Sequence, residues 1–353
     1  MIDRAGKHLA CRRAGGDTAS VIGSAGPELL RPRALRPGDL VVIASLSGPL
    51  HAAYEPHLDQ AVAVLGRMGF RVRRAPLLEA GRQRWWSAAT PAEIAREFNV
   101  LLRDPEVRAI IAHDGGQTVL GYLDLIDFEA VTADPKPILG YSDISLLHLV
   151  LHARTGLVGF HADLATPGLG GHWQAAPATR RAELEQLYAR LLTDTEAIGA
   201  LPASPSWECW RAGRAEGPLI GGVINRVVLA QATPYALPLD RFDGAVLFWE
   251  EMGGLASYVW SYLHVLRHCG VLDRISGMVV GVPHAIEGLD GSPSLAEIVL
   301  DVLGDRDIPV LGNVEIGHAG PNLPMPVGVR AVLDAGRRTL SLLEPAVRQR
   351  DRS

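Results

Sequence analysis

Apolar positions along this chain fall into short unbroken runs separated by longer stretches in which they recur every three to four residues. The first pattern marks buried strands and the second amphipathic helices. Leu40-Val41-Val42-Ile43-Ala44 follows the turn Arg36-Pro37-Gly38-Asp39 and predicts a buried strand. A helix is expected around His57–Met68, with Leu58, Ala61, Val62, Val64 and Leu65 on its apolar side, leading into Phe70-Arg71-Val72. Thr90-Pro91-Ala92-Glu93 puts threonine at the N-cap, proline at N1 and glutamate at N3. The helix it starts runs through Leu101 and Leu102 to the strand Ala109-Ile110-Ile111-Ala112. Pro135-Lys136-Pro137-Ile138-Leu139-Gly140 is another short apolar strand, which passes through Tyr141-Ser142-Asp143 into the apolar helix from Ile144 to His152. Strand and helix in this rhythm imply an α/β fold with an open, mostly parallel sheet flanked by helices.

The second half changes character. Residues 163–215 mix Gly/Pro loops with one clear helix, Thr179–Leu192. Beyond them come Gly217-Pro218-Leu219-Ile220-Gly221-Gly222, the strand Ala245–Trp249 and a helix from Ser257 to His268. A strand (Gly277–Val282), a helix (Leu295–Leu303) and a strand (Pro309–Val314) follow. Arg330–Asp334 and Thr339–Leu343, joined by Ala335-Gly336-Arg337-Arg338, read as a closing hairpin. The expected division is a flexible extension at 1–34, an N-terminal α/β domain at 35–165, a connection at 166–215 and a smaller mixed α/β domain at 216–347. The extension is rich in Ala, Gly, Arg and Ser and shows no sustained period.

Composition narrows the function classes. A formal charge of −5 and a pI near 6.2 give no reason to expect nucleic acid or an anionic membrane surface as partner. No apolar run has the length of a bilayer span. The three cysteines (Cys11, Cys209, Cys269) are widely spaced without a CxxC, which speaks against a disulfide framework or a zinc site. No apolar stretch precedes Cys11-Arg12-Arg13, so the expected compartment is the cytoplasm.

Candidate chemistry gathers at strand ends, where open α/β sheets hold their sites. Ser142 stands between a strand and a helix. It is either an N-cap or a nucleophile presented beside the free N–H groups of a helix start. His113-Asp114-Gly115-Gly116-Gln117 ends the strand at 109–112 and is either a tight turn or a nest of N–H groups for an anion. Trp249-Glu250-Glu251 ends another strand, where a carboxylate is either solvated or mounted to orient a histidine. His318, in Glu315-Ile316-Gly317-His318-Ala319-Gly320-Pro321, lies in a Gly-flanked loop after a strand. His148/His152 and His264/His268 have metal-ligand spacing but lie in mostly apolar helices without HExxH, so structural or surface roles are expected. The chain has no GxxxxGK[ST] and no GxGxxG joining a strand to a helix. Trp207 and Trp210 are either core or pocket wall.

These segments, in this order, resemble the LD-carboxypeptidase family of serine peptidases, which includes muramoyl-tetrapeptide carboxypeptidases and microcin C immunity peptidases. The resemblance is carried by Leu35-Arg36-Pro37-Gly38-Asp39, Ala44-Ser45-Leu46-Ser47-Gly48-Pro49, Gly115-Gly116 and Gly140-Tyr141-Ser142-Asp143. It continues through Gly217–Gly222, Leu247-Phe248-Trp249-Glu250-Glu251 and Gly317-His318-Ala319-Gly320-Pro321 with Met325-Pro326-Val327-Gly328. It covers about residues 35 to 345. What it implies is two α/β domains with the site in the cleft between them, often in a homodimer, and a catalytic triad of Ser142, Glu250 and His318. The oxyanion would be held by backbone N–H groups of Asp143 and of Gly115-Gly116. No cofactor or metal is implied, and the substrate would be a small peptide with a C-terminal D-amino acid or a peptidyl-nucleotide. The same acyl-enzyme could serve a transpeptidase or cyclase, and a catalytically silent binding protein would keep the cleft alone. Two segments depart from the family pattern: His161-Ala162-Asp163 in place of His-Gly-Pro, and Gly221-Gly222-Val223-Ile224 in place of Gly-Gly-Asn-Leu, with Asn225 displaced. Both are expected on the substrate side. The histidine loop running into Pro324-Met325-Pro326-Val327 and the long link before Trp210 look closer to the microcin-immunity branch.

Overall fold

Fourteen strands among the described residues, 28–289 and 293–350 of a computed structural model, form two sheets. In chain order they begin with β1 (Leu40–Ala44), β2 (Arg71–Arg74), β3 (Val107–Ala112), β4 (Ile138–Gly140), β5 (Gly159–His161), β6 (Gly199–Ala200) and β7 (Glu208–Arg211). They continue with β8 (Arg214–Val223), β9 (Val246–Glu250), β10 (Gly277–Gly281), β11 (Val310–Val314), β12 (Met325–Val327), β13 (Arg330–Asp334) and β14 (Thr339–Leu342).

The first sheet has the order β12-β5-β4-β3-β1-β2, and the run β5-β4-β3-β1-β2 is parallel throughout. Every residue of β1, β4 and β5 is buried, as sheets covered on both faces require. The helix expected at His57–Met68 spans Glu55–Arg67, and Thr90-Pro91-Ala92-Glu93 forms the capping box that starts Pro91–Arg103. The buried Lys136 ammonium donates to the carbonyls of Leu102 (2.5 Å) and Asp104 (2.8 Å) at that helix's C-terminus. It thereby fixes the entry to β4 and satisfies carbonyls the helix leaves open. The sixth strand, β12, arrives from the second half of the chain and pairs antiparallel with β5.

The second sheet is mixed, in the order β6-β14-β13-β8-β9-β10-β11-β7. Its centre, β8 to β11, is parallel, and the hairpin β13–β14 closes one side. The stretch expected to connect the domains supplies β6 and β7 to its two edges. With eight strands it is the wider of the two sheets. Within that stretch Ala165–His172 is a π-helical segment packed on Glu55–Arg67, followed by the helix Ala178–Thr193.

Of the extension expected at residues 1–34, positions 1–27 lie outside the described residues. Residues 28–34 are held in place: Leu30 donates its N–H to Gly156 O, Val158 donates to Leu30 O, and Ala34 donates to Arg348 O. Backbone pairing needs no side-chain periodicity, which is why the sequence pattern shows nothing there.

Candidate active site

Ser142 has φ +62°, a left-handed conformation that costs an L-residue roughly 1–2 kcal/mol. The helix Ile144–Thr155 begins only after Asp143, whose side chain makes no capping bond. Ser142 is thus no N-cap. The strained turn instead points its Oγ out of the chain path to within 3.1 Å of His318 Nε2. Strain of this kind persists where the surroundings over-determine the backbone. Here they do: the Asp143 carboxylate accepts from Ser47 Oγ (2.6 Å), Thr118 N–H (2.7 Å) and Val119 N–H (2.9 Å), and lies 2.9 Å from Arg226 Nε.

The other two strand-end groups converge on the same point. Glu250 closes β9 and is fully buried. Its carboxylate lies 2.9 and 3.0 Å from His318 Nδ1 and accepts the His318 backbone N–H at 3.3 Å. A carboxylate at Nδ1 holds the proton there and leaves the Nε2 lone pair facing the serine hydroxyl. Gly317, at φ +94°, makes this approach possible, since a Cβ in its place would lie 2.2 Å from Glu250 Oε2. Tyr141 sets its ring edge-on to the imidazole, with centroids 4.9 Å apart.

The Gly115-Gly116 turn lies against the serine, and a Cβ on Gly115 would come 2.5 Å from both Ser142 Cβ and Oγ. The Gly115 N–H is taken by its neighbour's carboxylate, Asp114 Oδ1, at 2.7 Å. The amides of Gly116 and Asp143 have no acceptor among the described residues.

Sequence reasoning missed Arg226. It is 7% exposed on the helix Ile224–Gln231, and besides Asp143 it bonds Gly116 O (3.1 Å), Gln117 Oε1 (2.8 Å) and Asn225 Oδ1 (3.0 Å). A lone arginine amid Val223, Ile224, Val227 and Val228 was the available signal. Glu251 was passed over beside Glu250; it too is buried, and burial together with the neighbouring Glu250 charge pushes its carboxyl up to about 7. A cavity of about 210 Å³ is lined by Ser142 and Gln117 from the first half and by Asn225, Arg226, Glu251 and His318 from the second. A second cavity, of about 460 Å³, lies by Tyr54, His57, Asp114, Thr166 and His172.

Other candidates fall elsewhere. Of the segments expected on the substrate side, Gly222-Val223 does border the smaller cavity through Val223. His161 and Asp163 instead are core residues. Asp163 accepts from Trp173 Nε1 and from the Asn322 backbone and side chain, and burial raises its carboxyl to about 6. His148 and His152 sit against the backbone carbonyls of Gly140 and Leu157, and burial lowers each to about 4. Trp207 is buried with its N–H on Glu315, while Trp210 is half-buried over Gly312. Among the described residues no group of three or more His, Cys, Asp or Glu could hold a metal, and no helix is long and apolar enough to cross a membrane.

Comparison with known proteins gives consistent matches. A family model described as the LD-carboxypeptidase N-terminal domain matches residues 41–162, and one described as the LD-carboxypeptidase C-terminal domain matches residues 216–333. The chain is 26% identical over 337 residues to the microcin C7 self-immunity protein MccF of Escherichia coli, covering 90% of this chain and 96% of that one. It is 29% identical over 313 residues to a protein of Bacillus subtilis (strain 168) named as a probable murein peptide carboxypeptidase, covering 88% and 93%. The solved structure of MccF in complex with aspartyl sulfamoyl adenosine shares the fold at a TM-score of 0.81, with 24% identity, over 90% of this chain and 99% of that one.

Proposed function

The chain belongs to the LD-carboxypeptidase family, and from that premise we propose that it is a serine carboxypeptidase or amidase acting on a small peptide with an unusual C-terminal group. The observation that carries this reading is the relay Glu250–His318–Ser142, with contacts of 2.9 and 3.1 Å joining groups up to 176 positions apart in the chain. Ser142 Oγ attacks the carbonyl of the scissile bond while His318 Nε2 takes the hydroxyl proton. Glu250 fixes the imidazole tautomer and stabilises the imidazolium. The oxyanion settles on the unclaimed amides of Asp143 and Gly116, near the start of the helix Ile144–Thr155. His318 then passes its proton to the leaving group, an amine where the scissile bond is an amide, and water attacks the acyl-enzyme with His318 as base to release the acid and restore Ser142.

Two substrate classes follow from the relatives: a murein peptide, as the B. subtilis protein's name states, or an acylated nucleotide resembling the aspartyl sulfamoyl adenosine of the MccF complex. Mass spectrometry of the purified protein with a murein tetrapeptide in one tube and a hydrolysable peptidyl-adenylate in another tests the proposal and separates the two. A product with the mass of the released acyl fragment is expected in one tube and absent with Ser142→Ala. Hydrolysis retained by Ser142→Ala would overturn it. Addition of an amine reveals a transpeptidase as an acyl-amine product.

A further inference from the structure

We propose that Glu251 is a substrate-recognition residue, and that the cavity it shares with Ser142 takes a group bearing a primary ammonium. The inference deepens the proposed function and rests on it for placing substrate in this cavity.

Three observations carry it. Glu251 lines the cavity that contains Ser142 and His318, so a group held there lies beside the reacting carbonyl. Its side chain is held by Asn225 Nδ2 (2.9 Å), Asn225 N–H (3.2 Å) and Met252 N–H (3.1 Å), all neutral donors. Among the described residues no lysine or arginine pairs with it. The arginine that lines the same cavity is already committed: Arg226 spends its guanidinium on Asp143, Gly116 O, Gln117 and Asn225. A buried carboxylate without a cation is costly, and a structure that keeps one at the edge of a reactive cavity gains when a ligand supplies the missing charge. The raised affinity of Glu251 for a proton expresses the same deficit: the site favours a positive partner. A primary ammonium is compact and can place one of its three donors on the Oε2 lone pair that Asn225 and Met252 leave free.

The ammonium can be the α-amino group of a short peptide or a side-chain amine. The test therefore uses four peptides ending in D-alanine, with lysine or its neutral isostere norleucine before it, each with a free or an acetylated N-terminus. Binding is measured by calorimetry on Ser142→Ala, so that turnover plays no part. At least one ammonium should improve affinity about tenfold or more over its neutral counterpart. Adding Glu251→Gln, which keeps the shape and removes the charge, should bring that ratio to about one, whatever happens to the neutral peptide itself. Equal affinities in the Ser142→Ala protein, or a preference that survives Glu251→Gln, would overturn the proposal. If Glu251→Gln does not fold, competition decides the matter with Glu251 in place. n-Butylammonium should displace the lysyl peptide at least tenfold better than n-butanol, and equal displacement refutes recognition of charge. Preference for the ammonium without hydrolysis by the unaltered protein would sink the proposed activity and leave this recognition standing.

Discussion

Replacing Gly115 by alanine should disable Ser142 without replacing any member of the relay. Gly115 is not among the residues with positive φ, so an added methyl acts through space alone. That methyl carbon would sit 2.5 Å from Ser142 Cβ and Oγ, where ordinary contact begins at 3.4 Å. The hydroxyl must retreat by about 0.9 Å, and at a 3.1 Å starting distance its bond to His318 Nε2 does not survive the move. A displacement near 1 Å at a reacting atom costs on the order of a hundredfold in rate. Overpacking a buried turn costs about 1–3 kcal/mol, a loss the fold tolerates. The assay is the second-order rate of Ser142 labelling by a fluorophosphonate, with peptide hydrolysis and a thermal melt in parallel. Labelling should fall about a hundredfold while a cooperative melt remains. Labelling within about threefold of the unaltered protein would show that Gly115 does not hold the nucleophile in place.

Glu250→Gln keeps the side chain's shape but can stabilise the wrong imidazole tautomer, so kcat should fall by about a thousandfold or more; a loss under tenfold would deny Glu250 its orienting role. Arg226→Met leaves the Asp143 carboxylate buried with only its hydroxyl and amide donors. Urea unfolding should report a loss of about 2–4 kcal/mol, and unchanged stability would mean the ion pair contributes nothing net. His148, His152 and His161 have folded-state values of about 4, 4 and 3, below the usual 6.5, chiefly through burial. Their stabilising contribution is complete above pH 6.5 and is lost as pH falls toward 4, each costing roughly 2 kcal/mol at pH 5. Asp163 and Glu251, raised to about 6 and 7, gain protons on folding in the same interval and return roughly 1.5 and 2.5 kcal/mol. The imidazoles win, so the melting temperature should drop between pH 7.5 and pH 5, and a rise would refute the assignment of buried neutral histidines.

The elements that could be read from the sequence were those whose signal is local. The apolar run Leu40–Ala44 and the Thr90-Pro91-Glu93 cap each specify their structure within a few residues, and both appear where expected. Ser142 was ambiguous because the same residue type starts helices and attacks carbonyls; its backbone angle and the helix start at Asp143 exclude the cap, and no composition encodes that angle. Arg226 and Glu251 stayed hidden because their meaning lies in partners remote in sequence. Arg226 meets Asp143 83 positions away, and Glu251 acquires significance only from the cavity around it. Met325-Pro326-Val327 is too short to read as a strand and contains a proline, which an edge position tolerates.

That edge strand has a mechanical consequence. His318 lies on the crossover between the sheets, four residues beyond the end of β11 and seven before β12. Its loop is thus stretched between two anchors, one in each sheet. A rotation of one sheet relative to the other would act on this loop from both ends, and so on the 3.1 Å contact between His318 and Ser142. Cutting the chain between the two family-matched regions would deprive the first sheet of β12, and the half that carries Ser142 would be left with β5 as a raw edge.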